Sequence, residues 1–179
     1  MLSTLLGISR KPTTGFRLSP FEERNLGTLL SWVQTNRDLR LWAGDTFPRI
    51  PDAPVFRKHL ERTEVNAYQA ESGKSGFVGY AELVRMPQGD GTLCRVIIDP
   101  SRRGMGWGKA FVRLLARESF ESLGFNHLLL NVFTLNAPAL RCYRSIGFRP
   151  LPHRPRSRCF EGETWNLLVM KKARPKRAA

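Results

Sequence analysis

Acidic residues are scarce in this chain: 15 Asp and Glu stand against 29 Lys and Arg, the first of them is Glu22, and the formal net charge is +14. A surplus of that size favours an anionic partner over long range, whether a phosphate-rich cofactor, nucleic acid or an anionic surface. Part of it sits in the runs HRPRSR (153–158) and KKARPKRAA (171–179), where a solvated charge run is the plainer reading, so charge alone does not make a nucleic-acid binder. Cysteine is equally scarce. Cys94, Cys142 and Cys159 are an odd number without CxxC spacing, which fits reduced thiols in a cytoplasm and offers no zinc site. His59, His127 and His153 show no HExxH or comparable spacing, so no metal is expected. No apolar run approaches the roughly 18 residues that cross a bilayer, and no internal repeat or low-complexity linker divides the chain.

The acid-free start MLSTLLGISRKPTTGFRL has the look of a transit peptide, but its apolar stretch is too short for a secretory signal. It reads as a flexible extension over residues 1–14, ahead of one domain over 15–172 and a basic tail over 173–179. A strand around GFRLS leads to a first helix in 20–34, where Leu26, Leu29, Leu30 and Val33 recur at helical spacing. The segment 35–54 carries Pro48, Pro51, Pro54 and Gly44 and is expected to be irregular before a second helix over VFRKHLERT. Three antiparallel strands follow, over 66–72, 75–86 and 91–99, then a long amphipathic helix over 107–124 that Gly124 ends. HLLLNVF (127–133) suits a strand buried on both faces, Asn136 is placed to cap a helix that Gly147 stops, and ETWNLLVMKK (163–172) makes a last strand. The class is α/β (α+β): a mixed, mostly antiparallel sheet of about six to seven strands, helices on both faces, and a strand-helix-strand crossover at the centre.

The stretch SRRGMGWGKAFV (101–112) sets Gly104, Gly106 and Gly108 between a strand end and a helix start. That is an anion site in outline, because glycines let the backbone approach closely and the helix dipole adds about half a positive charge. Spacing discriminates among phosphate ligands. A Walker A loop requires glycine at Arg103 and Ser or Thr at Ala110, and a dinucleotide fingerprint requires glycine at Lys109 or Phe111. Both readings fail.

What remains, R-x-x-G-x-G over Arg103 to Gly108 after VIIDPS, together with NAPALRCYRSIGF (136–148), resembles the GCN5-related N-acetyltransferase family over roughly residues 15–172. The resemblance implies acetyl-coenzyme A as co-substrate and a splayed central pair of parallel strands. It places the pyrophosphate on the backbone of Arg103, Gly104, Met105, Gly106, Trp107 and Gly108. It places the pantetheine along Val96, Ile97 and Ile98, with Val96 and Ile98 facing it, and puts Asn136 and Tyr143 beside the coenzyme. Tyr143 corresponds to the family's general acid. Glu82, interrupting an apolar strand, is the best carboxylate for a base, and Asn131 stands where many relatives carry a carboxylate, so a water held by Asn131 or Glu82 becomes a natural route. The resemblance also implies an acceptor wall at RLWAGDTFPRIP (40–51) and the loop before the last strand; in the first, Trp42 and Phe47 either flank an amine or pack the loop, and Asp45 can attract an ammonium group.

The function expected is acetyl transfer to an amine, with protein N-termini, lysines and small amines all open, by a cytoplasmic monomer or homodimer that engages neither membrane nor nucleic acid. The competing class is a binding protein that keeps the coenzyme site without turnover and uses its basic tail on nucleic acid or ribosomes.

Overall fold

A computed structural model describes residues 16–73, 76–152 and 156–175. The expected extension over 1–14 and most of the basic tail lie outside them. Among the described residues eight strands form one sheet: β1 (Phe16–Pro20), β2 (Val65–Ser72), β3 (Gly76–Arg85), β4 (Gly91–Ile98), β5 (His127–Phe133), β6 (Arg149–Pro150), β7 (Arg156–Phe160) and β8 (Glu163–Ala173). Their order is β1-β2-β3-β4-β5-β8-β6, with β7 also paired to β8. Every pair is antiparallel except β4 with β5. The mixed sheet with its central crossover matches the sequence expectation. The count is higher because β6 and β7, in a Pro- and Arg-rich stretch, carry no apolar alternation to announce them.

Two apolar layers sandwich the sheet. On one face the long helix α4 (Trp107–Glu121) buries Phe111, Val112, Leu115, Ala116 and Phe120 against Leu128, Leu130 and Met170. Burying each large side chain of this kind contributes roughly 1.5–3 kcal/mol. The helix α5 (Ala137–Ser145) leans on the same layer through Ala139, Leu140 and Tyr143. On the other face α1 (Leu26–Ser31), α2 (Asn36–Ala43) and α3 (Ala53–Leu60) enclose Leu29, Leu39, Trp42, Phe47 and Phe56 with Tyr80 and Ile97 of the sheet. No helix among the described residues is long and apolar enough to cross a membrane.

The helix α2 corrects the expectation of an irregular 35–54. Thr35 and Asp38 form a capping box: Asp38 N–H donates to Thr35 Oγ1 at 3.1 Å, and the Asp38 carboxylate accepts from Thr35 N–H at 3.0 Å. Two otherwise orphaned donors are satisfied at the first turn, which starts the helix despite the prolines further on. Asp52 caps α3 in the same way, accepting from Val55 N–H at 3.0 Å.

The feature that positions the site is a bulge in β4. Tyr80 faces Ile97 and Glu82 faces Cys94, so Arg95 and Val96 together oppose Ala81, and Arg95 takes a φ of +50°. A bulge bends its strand and sharpens the local twist. Here β4 pairs with β5 only at Gly91↔Leu128 and Thr92↔Leu129, and beyond Thr92 the two part.

Candidate active site

A cavity of about 220 Å³ opens where β4 leaves β5. Leu93 to Val96 form one wall and Asn131 to Phe133 the opposite one. Asn136, Ala139 and Tyr143 of α5 close it on one side, and the end of α2 with the following loop, Leu41 to Thr46, closes it on another. Arg158 of β7 reaches the same space.

The splay explains Asn131. A strand buried on both faces was expected, but β5 alternates between buried and accessible, and Asn131 is exposed because no β4 backbone covers it. Val96 packs toward the α4 layer and lines the cavity, Ile98 is buried in that same layer, and Ile97 turns to the opposite one.

Tyr143 is half-buried, edge-on to Phe148 at 5.8 Å between ring centres. Its hydroxyl makes no hydrogen bond among the described residues. Burial, with Cys142 and Cys94 as neighbours, pushes its pKa well above the ordinary tyrosine value, so at neutral pH it carries its proton. Burial likewise pushes the Cys94 thiol up to about 11. Asn136 caps α5, accepting from Ala139 N–H at 3.2 Å, and lines the cavity at the same time.

Glu82, the carboxylate expected as base, lies outside the cavity lining, and its oxygens are engaged by other side chains. It is wholly buried. Oε1 accepts from Arg95 Nε at 2.6 Å and from the Tyr80 hydroxyl at 2.7 Å, Oε2 meets Arg95 Nη2, and His59 Nε2 sits 3.1 Å from both oxygens. Burial alone would raise its pKa; the hydrogen bonds and charge of His59 and Arg95 outweigh that and bring it down to about 2. Trp42 secures the other side of the bulge, its indole N–H donating to the Arg95 carbonyl at 2.8 Å. Trp42 and Asp45 reach the cavity, whereas Phe47 packs beneath it against Trp42 and Phe56.

Beyond β4, Asp99 accepts from Ser101 N–H at 2.9 Å and starts a short 3₁₀ turn. Gly104 (φ +77°) and Gly106 (φ +84°) then take left-handed conformations that carry the chain into α4, with Gly106 as the N-cap. The N–H groups of Gly104 through Lys109 find no backbone acceptor among the described residues. Arg102 stacks over Trp107 at 5.8 Å, and Arg103 Nε donates to the Ile98 carbonyl at 3.3 Å. A cationic, donor-rich turn thus follows directly from the splayed strand.

The sequence profile of the Acetyltransferase (GNAT) family matches residues 32–148. This chain belongs to that family. An uncharacterized protein of Mycobacterium leprae (strain TN) is 34% identical over 107 residues, 58% of this chain and 28% of that one. The mycothiol acetyltransferase of Acidothermus cellulolyticus is 35% identical over 83 residues, 46% of this chain and 23% of that one. The GNAT chain described here therefore spans about a quarter of the length of these curated relatives. Among solved structures, spermidine N-acetyltransferase from Vibrio cholerae in complex with CoA and spermine superposes with a TM-score of 0.77 at 18% identity, covering 90% of this chain and 96% of that one. A dodecameric structure of that enzyme in an intermediate state gives 0.71 at 17%, over 90% and 95%. At such identities the likeness establishes the GNAT fold.

Sequence reasoning missed Arg95, Thr46, Phe133 and Arg158. A signal existed for the first: Glu82 and Arg95 are opposite charges interrupting two neighbouring apolar strands. Arg158 falls in the stretch before the last strand, where the acceptor wall was also expected, although β7 itself was not foreseen.

Proposed function

We propose that this chain transfers the acetyl group of acetyl-coenzyme A to an amine by direct attack at the point where β4 and β5 part. One observation carries the reading: the splay, where β4 has no β5 partner beyond Thr92, runs straight into a left-handed glycine turn whose N–H groups find no backbone acceptor among the described residues. The chain residues suit that co-substrate at both ends. The β4 edge around Val96, which has no β5 partner, would pair with the pantetheine amides as an added strand, and the N–H groups of Gly104 to Gly108, with the α4 dipole behind them, would hold the pyrophosphate.

The chemistry divides among few groups. The acceptor nitrogen attacks the thioester carbonyl carbon, and a backbone N–H at the β4 bulge stabilises the oxyanion. When the C–S bond breaks, Tyr143 gives its proton to the departing sulfur. Asn131, exposed on β5, holds the water that takes the proton from the amine. Glu82 supports Arg95 and the bulge instead of taking that proton, because its oxygens are already engaged. Cys94, held protonated by burial, is a poor nucleophile, which favours direct attack by the amine.

The reading is tested by mixing the protein with acetyl-coenzyme A and an amine and peptide panel, following thiol release together with the mass of the acceptor. Release matched by an acetyl mass increment on the amine supports it. Coenzyme binding without release from any acceptor supports the non-catalytic alternative.

A further inference from the structure

The charged groups of the cavity fall into two pairs of different character. Arg95 commits Nε and Nη2 to Glu82 and Nη1 to Thr46 Oγ1 at 3.1 Å, so its charge is met from beneath the cavity by a buried partner. Asp45 and Arg158 form the second pair, Oδ2 to Nε at 2.9 Å, with side chains 66% and 41% exposed. They join the loop after α2 to β7 at the solvent-facing rim. Asp45 is the only carboxylate lining the cavity among the described residues.

Exposed ion pairs contribute little to stability, so this one opens readily for a ligand. What it exchanges for decides specificity. An acceptor that offers only an ammonium group takes Asp45 and strands the Arg158 guanidinium beside a second cation, and each added ammonium of a polyamine enlarges that repulsion. An amine that also bears a carboxylate satisfies both: the nitrogen arrives as ammonium at Asp45, and the carboxylate takes the planar fork of Arg158. Charge at the rim stays balanced, and the nitrogen sheds its proton before attack.

We infer that the acceptor is an amine carrying a carboxylate a few bonds from its nitrogen, read by the Asp45–Arg158 pair. This rests on the acetyl-transfer reading of the cavity. The chemistry is shared by free amino acids and by acidic residues near a peptide N-terminus, and the test separates the two.

Thiol release by the full chain is measured with β-alanine, β-alaninamide and spermidine, and with the peptides Ala-Asp-Ala and Ala-Asn-Ala, for the wild type, Arg158→Gln and Arg158→Lys. The wild type is expected to prefer the acid in at least one matched pair, and to prefer it over spermidine, by about tenfold in kcat/KM, mainly through KM. The preference should collapse in Arg158→Gln and partly return in Arg158→Lys. A preference confined to the peptides identifies a peptide acceptor. Spermidine turned over as well as the best acid, or an acid preference undiminished in Arg158→Gln, overturns the inference and leaves acetyl transfer standing. No release with any acceptor, alongside a retained thermal shift with acetyl-coenzyme A, removes the acetyl-transfer reading itself, and the inference with it.

Discussion

Arg95 grips the Glu82 carboxylate with two guanidinium nitrogens, Nε at 2.6 Å from Oε1 and Nη2 on Oε2, where both side chains are buried. The grip falls on the one residue of β4 with a left-handed backbone, so the ion pair and the bulge are a single device. Removing one partner leaves the other charge buried and unmatched, which costs about 3–5 kcal/mol. Glu82→Gln should show a loss of that order in urea denaturation. The pair Glu82→Leu with Arg95→Met should lose less than the two single changes added together.

The same carboxylate makes stability depend on acid. Its folded pKa, about 2, lies below that of the unfolded chain, so its contribution is complete above the unfolded value, roughly 4.3. It fades as pH falls from there toward 2. Denaturation midpoints measured across that window should fall more steeply in the wild type than in Glu82→Gln, where this proton uptake is absent.

Gly91 opens β4 directly beneath the Phe125 ring, and a Cβ built there stands 2.1 Å from two ring carbons. Phe125 is itself fully buried, so moving its ring disturbs the core around it. Gly91→Ala should therefore cost about 1–3 kcal/mol or more through overpacking, read as a lowered melting temperature. It also bears on the site, since Gly91 is one of the two positions where β4 still pairs with β5.

Tyr143→Phe keeps the ring that packs on Phe148 and removes only the hydroxyl. In the proposed role of proton donor to sulfur, that group should account for about 10²-fold or more of kcat, with acetyl-coenzyme A affinity little changed. Because burial raises its pKa, the wild-type kcat should show no alkaline fall from this group up to pH of about 10. Equal kcat in the mutant would take Tyr143 out of the acid role.

The fold was legible wherever periodicity and punctuation agreed. The face Phe111, Val112, Leu115 and Ala116 between Gly106 and Gly124 could only be a buried helix, and HLLLNVF only a strand. Legibility failed where a local device overrode composition: the capping box at Thr35 and Asp38 starts a helix in a proline-rich segment, and β7 owes its pairing with β8 to geometry that alternation does not report. In the site, Asn136 was read correctly as a cap because its hydrogen bond is local. The surroundings of Glu82 were less legible, because whether a strand carboxylate faces solvent, substrate or a buried arginine depends on the β4 bulge opposite the adjacent Ala81, which sets Arg95 against it without leaving a mark on the sequence of β3.

The most direct test is calorimetric titration of acetyl-coenzyme A into the wild type, Gly106→Asn and Gly106→Asp. Asparagine and aspartate both tolerate the left-handed backbone that Gly106 adopts, and they differ mainly in charge at the proposed pyrophosphate position. Saturable binding to the wild type, retained in weakened form by Gly106→Asn and lost in Gly106→Asp, is the predicted result. No heat of binding to the wild type, or equal affinity in the two variants, would contradict it.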